Sequence, residues 1–311
     1  MIEAIHKIMV PDTAGDPMTG LKWTRKTTAK IRRQLRRRGI HVSDRTVARL
    51  LRGLDYSLRV NRKLIATASS PERNRQFEYI NRQRRLFREQ CLPAISIDTK
   101  KKEMLGQFKN PGRVWADGPV RVNDHDFRRD SVGMAIPYGV FDTQANRGHI
   151  FVGTSHDTAK FAVNALARWW KGDGQRAYPD ARRLLVLADG GGSNGPRIRA
   201  WKHALQTRFA DPFGVAVTVC HYPPGASKWN PIEHRLFSEV SKNWAGRPLD
   251  SYETMLNYIR TTTTASGLRV KATLLEGEYM TGIKLSDAEM NAVNLRPHRV
   301  LPVWNYTISP N

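Results

Sequence analysis

Long apolar runs are missing from this chain. None approaches the ~20 residues that a membrane-spanning helix needs, and the N-terminus lacks the charged-then-apolar pattern of a secretory signal. No membrane is therefore expected as a partner. Cysteine is scarce: Cys91 and Cys220 are the two in 311 residues. That excludes a disulfide framework and a paired-cysteine zinc motif, and it suits a reducing compartment. Acidic residues are also short, with 28 Asp+Glu against 51 Lys+Arg, a formal net charge of +23. A merely solvated basic surface is the bland reading. An excess this large usually marks a polyanionic partner, of which nucleic acid is the commonest. Internal repeats and low-complexity stretches are absent too.

The positive charge is concentrated near the N-terminus. Between Lys22 and Lys63 there are fifteen Lys/Arg, and Asp44 and Asp55 are the only acids. Two helices fit here. The first runs from Thr27 to Arg38 and stops at Gly39. The second is capped by Ser43 and reaches about Leu54. Its Val47, Leu50, Leu51 and Leu54 recur at i, i+3, i+4 and i+7, while Arg45, Arg49 and Arg52 fall on the opposite face. Helix, glycine turn and arginine-bearing helix resemble a helix-turn-helix; a small bundle with a solvated basic face fits the same pattern. On the DNA-binding reading, Arg45, Thr46 and Arg49 reach a groove and Lys30, Arg33 and Arg37 touch phosphates. A third, arginine-rich helix from Ser70 to about Gln90 links this module to the remainder of the chain.

From residue 94 the pattern changes to strands. Expected are strands Ala94–Asp98, Gly133–Phe141, His149–Gly153, Leu184–Ala188 and Val215–Cys220, with a short strand or hairpin in Arg113–Asp126. Helices are expected at Thr158–Lys171, Pro196–Phe209 and Pro231–Trp244. An antiparallel opening followed by parallel crossovers is an RNase H-like order. The expected fold is α/β: an RNase H-like catalytic domain, a mixed sheet flanked by helices, preceded by a small all-α helix-turn-helix module. The expected boundaries are 1–64 for that module, 65–93 for a helical linker, 94–250 for the catalytic domain and 251–311 for a C-terminal extension. In the extension, Leu268–Leu275 offers a strand and Ser286–Asn291 a short helix.

Three carboxylates stand at element ends. Asp98 closes the first strand, Asp189 follows Leu184–Ala188, and Glu233 opens the last helix. Hard oxygen ligands suit Mg²⁺, and two ions about 3.5–4 Å apart clamp the attacking and leaving oxygens of a phosphodiester. Each acid has a duller reading. Asp98 precedes Thr99-Lys100-Lys101-Lys102 and reads alone as a turn acid. Asp189 precedes Gly190-Gly191-Gly192-Ser193-Asn194-Gly195, a match to the dinucleotide pattern G-x-G-x-x-G. That rival expects an acid at the end of the following strand, where Cys220-His221-Tyr222-Pro223-Pro224 stands instead. Asn230, Pro231 and Glu233 together make a capping-box pattern. Set in fold order, the three acids read as one metal site. Lys228 and Trp229 lie just before Glu233, placed to contact a phosphate and a base. Asp142 is a reserve ligand, and His221 and His234 read as core or surface histidines.

At these residues the chain resembles the DDE transposases of bacterial insertion sequences, most closely the Rhodopirellula-type group. The matching stretches are Ser96-Ile97-Asp98-Thr99-Lys100-Lys101-Lys102-Glu103, Ala188-Asp189-Gly190-Gly191-Gly192-Ser193-Asn194-Gly195, and the run from Cys220 to Arg235 that holds Trp229-Asn230-Pro231-Ile232-Glu233-His234. Weaker echoes are Tyr56-Ser57-Leu58 with Asn61-Arg62-Lys63, and Trp304-Asn305-Tyr306-Thr307. Two features depart from the group. Relatives carry more N-terminal sequence, so a truncated DNA-binding region is expected, and Ala226 and Pro231 stand where Thr and Lys are usual. The resemblance implies Asp98, Asp189 and Glu233 as the catalytic, metal-binding triad, with two Mg²⁺ (or Mn²⁺) ions as cofactors. It implies terminal inverted repeats and target DNA as double-stranded partners, and a homo-oligomer assembled on that DNA. The setting would be the bacterial cytoplasm, at the nucleoid. Strand cleavage followed by strand transfer is the expected reaction. A non-catalytic DNA-binding product of the element and a plain RNase H-like nuclease are the alternatives.

Overall fold

Both basic helices start on the hydroxyl that precedes them. The structure, a computed structural model, describes residues 1–9, 13–15, 22–24, 26–54, 56, 71–226 and 229–311. It divides into two compact units, Met1–Ile65 and Ala66–Asn311. In the first, α1 (Ile2–Met9) is followed by a two-stranded antiparallel ribbon, β1 (Thr13–Gly15) and β2 (Lys22–Thr24), then α2 (Thr28–Arg36) and α3 (Asp44–Gly53). Thr27 Oγ1 accepts from Lys30 N at 3.2 Å and Ser43 Oγ from Thr46 N at 3.1 Å, satisfying one orphan amide at each helix start. Gly39 between them takes φ +78°, the left-handed region that glycine enters without a Cβ penalty. Ile5, Ile8, Met9, Ile31, Leu35 and Val47 form the buried core of this unit, and Leu50, Leu51 and Leu54 pack against it. The apolar stripe of α3 thus faces inward as its spacing requires.

The second unit opens with α4 (Pro71–Glu89), then β3 (Ala94–Thr99), β4 (Glu103–Leu105), β5 (Gly133–Asp142), β6 (Arg147–Gly153) and α5 (Ala159–Trp169). A π-helical turn at 170–174 and the short α6 (Gln175–Ala177) prolong α5 before β7 (Arg183–Ala188). Next come α7 (Arg199–Leu205), a π turn at 206–210, α8 (Asp211–Phe213) and β8 (Ala216–His221). A π turn at Glu233–Phe237 leads into α9 (Ser238–Asn243), followed by α10 (Tyr252–Arg260), β9 (Arg269–Leu275), α11 (Asp287–Asn291), β10 (Leu295–Pro297) and β11 (Asn305–Ile308).

These strands form one sheet in the order β10-β11-β8-β7-β3-β5-β6-β9, with β4 pairing the start of β5. At its centre β3, β5 and β6 are antiparallel neighbours, while β7 and β8 run parallel to β3. That is the RNase H-like arrangement. Alternation along β3 sends Ile95 and Ile97 into a core under α5 and α7, and Ala94, Ser96 and Asp98 to the opposite face. On that face, α4 covers Ala94, Leu185 and Leu187. Ile232, Leu236, Phe237 and Val240 cover the β5–β6 side, together with residues of α10.

One expectation needs correction. Arg113–Asp126 holds no strand or hairpin. Pro111 and Gly112 precede it, Gly118 and Pro119 interrupt it, and Trp115 near its start is fully solvent-exposed, so nothing offsets the entropy of an ordered ladder there. Residues 251–311, expected as a C-terminal extension, complete the same sheet. β9 pairs parallel with β6 at one edge, and β11 pairs antiparallel with β8 at the other, with β10 outside it. Both edges of the central five strands would otherwise present unpaired backbone groups.

Candidate active site

Parallel pairing of β3 with β7 aligns Ile97 with Ala188. The next residues, Asp98 and Asp189, therefore leave adjacent strands, whose spacing is about 4.8 Å, at the same end of the sheet. Glu233 comes from across the face. Its approach depends on two strand glycines. Asp98 is opposite Gly139 on β5, and a Cβ at Gly139 would stand 2.6 Å from a ring carbon of Phe237 and 2.7 Å from Ile232 Cδ1. At Gly148 on β6 a Cβ would meet Leu236 Cδ1 at 2.4 Å. The bare backbone at both positions lets the turn carrying Glu233 sit close on the sheet.

The start of that turn is tied down by side chains from elsewhere. Asn230 is fully buried. Its Nδ2 donates to Asp189 Oδ1 at 3.0 Å, and its Oδ1 accepts from Ser96 Oγ on β3. Ser96 Oγ in turn accepts from Ile232 N at 3.2 Å. The expected capping box is thus replaced. Glu233 N bonds to the Asn230 carbonyl, not to its side chain, and the cap for this helix start comes across the sheet from Ser96. Asn230 and Ser96 do not stand out in the sequence as site residues. The one available signal is their place inside the matching motifs.

The carboxylates repel one another. Burial first, then the Asp189 charge, push the Asp98 carboxyl up to about 8. A charge contact and a hydrogen bond with Glu233 contribute to the same rise, and the Thr99 amide, donating to Asp98 Oδ1 at 2.7 Å, opposes it. Asp189 is also raised, by burial and by the Glu233 charge, against the Asn230 hydrogen bond that holds it down. Like charges gathered in a half-buried cleft are what a polyvalent cation offsets. Among the described residues, no three acidic, histidine or cysteine side chains converge as a ready-made cage for one ion. Asp98 is instead shared, touching Glu233 and adjoining Asp189. Carboxylate oxygens are the hard donors that a divalent cation takes.

The cleft beside Asp98 and Asp189 is also lined by Thr99, Lys100, Lys101, Lys102, Asp157, Gly191 and Gly192. Lys100 is mostly buried, paired with Glu103 at 2.7 Å and set over the Trp244 ring at 4.6 Å. It stiffens the cleft wall, and Lys101 and Lys102 stay exposed. His221 is fully buried, with its ring nitrogens at 2.9 Å from the Asn194 carbonyl and 3.1 Å from that of Trp304. Burial lowers its pKa to about 4, so it is neutral and braces the 190–195 loop. Asp142, the reserve acid, pairs with Ile95 at the far end of β3 and accepts from Tyr178 Oη at 2.9 Å. It is therefore a structural acid. Nor does the glycine run make a dinucleotide turn: Pro196–Ile198 separate it from α7, and the strand order is not doubly wound.

The remaining expected residues are dispersed. Trp229 is 46% exposed, its ring 6.1 Å from that of Phe77 and 6.0 Å from the Arg73 guanidinium, both on α4. Lys228 lies outside the described residues. In the first unit Lys30, Arg33, Arg37, Arg45 and Arg49 are exposed, and Thr46 is half-buried with its hydroxyl 3.0 Å from that of Ser43.

An RNase H-like sheet with acids gathered where its first and fourth strands end defines the polynucleotidyl transferase class of architecture. The sequence profile described as the Rhodopirellula transposase DDE domain matches residues 4–310, and the chain belongs to that family of DDE transposases. Among solved structures, the Mos1 transposase paired-end complex with left transposon end is 16% identical, covers 83% of this chain and 69% of its own, and has a TM-score of 0.43. The Mos1 strand transfer complex is 16% identical over 83% and 68%, with a TM-score of 0.44. The mariner Mos1 paired end complex with Mg is 15% identical over 83% and 69%, with a TM-score of 0.44. No curated protein matches the chain. Among the described residues, no helix is long and apolar enough to cross a membrane.

Proposed function

We propose that this chain is the transposase of an insertion sequence, which binds terminal inverted repeats and cuts and joins DNA strands at Asp98, Asp189 and Glu233. What supports this reading is that Asp98 adjoins Asp189 and touches Glu233, while the Ser96–Asn230–Asp189 hydrogen bonds tie these elements together. Asp98, Asp189 and Glu233 would hold two Mg²⁺ or Mn²⁺ ions. Bound there, the ions supply Lewis-acid activation of the phosphoryl group and of the nucleophile at neutral pH.

The chain's own residues position the rest. Asp98, shared between its two neighbours, gives up the proton it holds against Glu233 so that the cluster carries its full negative charge. Asn230 fixes the direction of Asp189, and Ser96 fixes both Asn230 and the helix start that aims Glu233. In cleavage, a water oxygen attacks phosphorus and the P–O3′ bond breaks, leaving a 3′-hydroxyl and a 5′-phosphate. In joining, that 3′-hydroxyl attacks a target phosphodiester, one P–O bond forms, and a target 3′-hydroxyl leaves. The exposed arginines of α2 and α3 suit DNA: Arg45 and Arg49, with Thr46, for groove contacts, and Lys30, Arg33 and Arg37 for phosphates. Trp229 and Lys228 remain proposed contacts beside Glu233. On this reading residues 1–64 recognise DNA, the RNase H-like unit performs the chemistry, and the protein assembles as a homo-oligomer on the DNA ends.

The test is Mg²⁺-dependent cleavage and joining on a DNA fragment carrying the element ends. Asp98→Ala, Asp189→Ala and Glu233→Ala should each abolish both steps and leave duplex binding intact. Wild-type cleavage by all three variants refutes the triad. Salt-dependent binding without nicking by the wild type would favour a non-catalytic DNA-binding protein, and cleavage without end specificity or joining would favour a nuclease.

A further inference from the structure

The carboxylate cleft does not end at the carboxylates. At Lys102, Asp157 and Gly192 it opens into a second groove of about 630 Å³. One wall is the N-terminal turn of α5, with Thr158, Ala159 and Lys160; another is the helical stretch from Ala200 to Arg208; the third is the 280–285 segment. Nothing in the reaction assigned above uses this groove.

Its lining combines cations and apolar side chains with two acids, Asp157 and the Ser286-bonded Glu289. Lys102, Lys160 and Arg208 are exposed cations, and none of them forms an ion pair among the described residues. α5 has no acid in its first turn, so its positive end adds to the same field. Facing these charges, Met280 is 74% exposed and Ile283 54% exposed, and both line the groove with Leu285, Ile198 and Ala204. Exposed apolar side chains beside unpaired cations fit a ligand with flat apolar faces on an anionic backbone. Two polar atoms are buried without a partner beneath this lining. Ser193, which lines the groove, is only 7% exposed, and its hydroxyl has no hydrogen-bond partner; Asp157 Oδ1, at the junction, is buried and equally unpartnered.

From this we infer that the groove is a single-strand DNA subsite, leading the unpaired strand on one side of the scissile phosphate away from the carboxylates. Phosphates lie along Lys102, Lys160 and Arg208, and bases rest on Met280 and Ile283. A duplex is too wide for this space, which accommodates on the order of one or two nucleotides. The inference deepens the transposase reading and rests on it for the identity of the strand.

The test uses the full chain and a single-stranded oligo-dT carrying thiothymidine, cross-linked by light and mapped by mass spectrometry. Cross-links are expected in the peptides holding residues 280–285 and 199–208. The double variant Lys160→Glu/Arg208→Glu, changed at two exposed positions, should lose those cross-links about tenfold. Cross-links elsewhere and the stabilisation of the protein by Mn²⁺ alone should not change. Cross-links confined to residues 1–65 overturn the subsite. So does a double variant that keeps both the groove cross-links and the wild-type cleavage rate. If the wild type never cuts DNA but the groove cross-links appear and depend on Lys160 and Arg208, the subsite stands and the transposase reading is what fails.

Discussion

Replacing Gly139 by alanine puts a methyl group where the ring of Phe237 already lies. The new Cβ would be 2.6 Å from Phe237 Cε1 and 2.7 Å from Ile232 Cδ1. Restoring ordinary contact requires the Glu233 turn to retreat by roughly 1 Å from the sheet, since carbon atoms settle near 3.5–4.0 Å. Overpacking of this kind costs about 1–3 kcal/mol. In a unit of this size that lowers Tm by about 3–9 °C. The effect on chemistry should be larger than the effect on stability. Glu233 moves with Ile232 and Phe237, and a misplacement of about 1 Å can cost about a hundredfold in rate. Gly172→Ala is the control, because nothing lies within 4 Å of a Cβ there. The assays are thermal unfolding and single-turnover cleavage of element-end DNA, both at a temperature where Gly139→Ala is folded. A folded Gly139→Ala protein that cleaves at the wild-type rate would refute the role given to this close approach.

Other outcomes are expected from the same cluster. With divalent ions chelated, Asp98 binds its proton more tightly folded than unfolded, its pKa raised from 3.8 to about 8. The Asp98 contribution to stability is then fully present below about pH 4 and is lost as pH rises toward about 8, by 1.36 kcal/mol per pH unit at most and less once the carboxylates relax apart. Asp98→Asn should flatten that slope and melt several degrees higher than wild type at pH 8 in chelator; equal slopes for the two proteins would contradict the repulsion. Adding Mn²⁺ should raise the wild-type Tm and leave that of Asp98→Asn nearly unchanged, which differential scanning fluorimetry would register. Asn230→Ala removes two buried hydrogen bonds, one of them to a carboxylate, at a cost of about 2–4 kcal/mol. It should also raise the metal concentration needed for half-maximal cleavage, a shift that a purely structural asparagine would not produce.

Much of the architecture is written locally. Thr27 and Ser43 set their helix starts, the four-residue apolar stripe from Val47 to Leu54 sets the inward face of α3, and the runs at Ala94, Gly133, His149, Leu184 and Val215 set the five central strands. Period and capping are short-range effects, so they are readable without neighbours. The places of the acids at strand and helix ends are readable for the same reason. Sequence and structure part where the partner is distant along the chain. Nothing within Leu268–Leu275 says that its partner is β6, more than a hundred residues earlier, and nothing in Arg113–Asp126 says that no strand is available to pair with it. Asn230 has the local signature of a cap, yet its side chain answers to Ser96 and Asp189 across the sheet.

The sequence by itself thus determined which residues carry charge, which stretches alternate or recur, and that three acids stand at element ends in RNase H-like order. Only the tertiary structure brought Asp98 into contact with Glu233 and beside Asp189. Their convergence depends on strand register, on two glycines that leave room for a helix, and on a buried asparagine held from three sides. Each is a long-range packing or hydrogen-bonding condition that becomes defined only when the sheet closes.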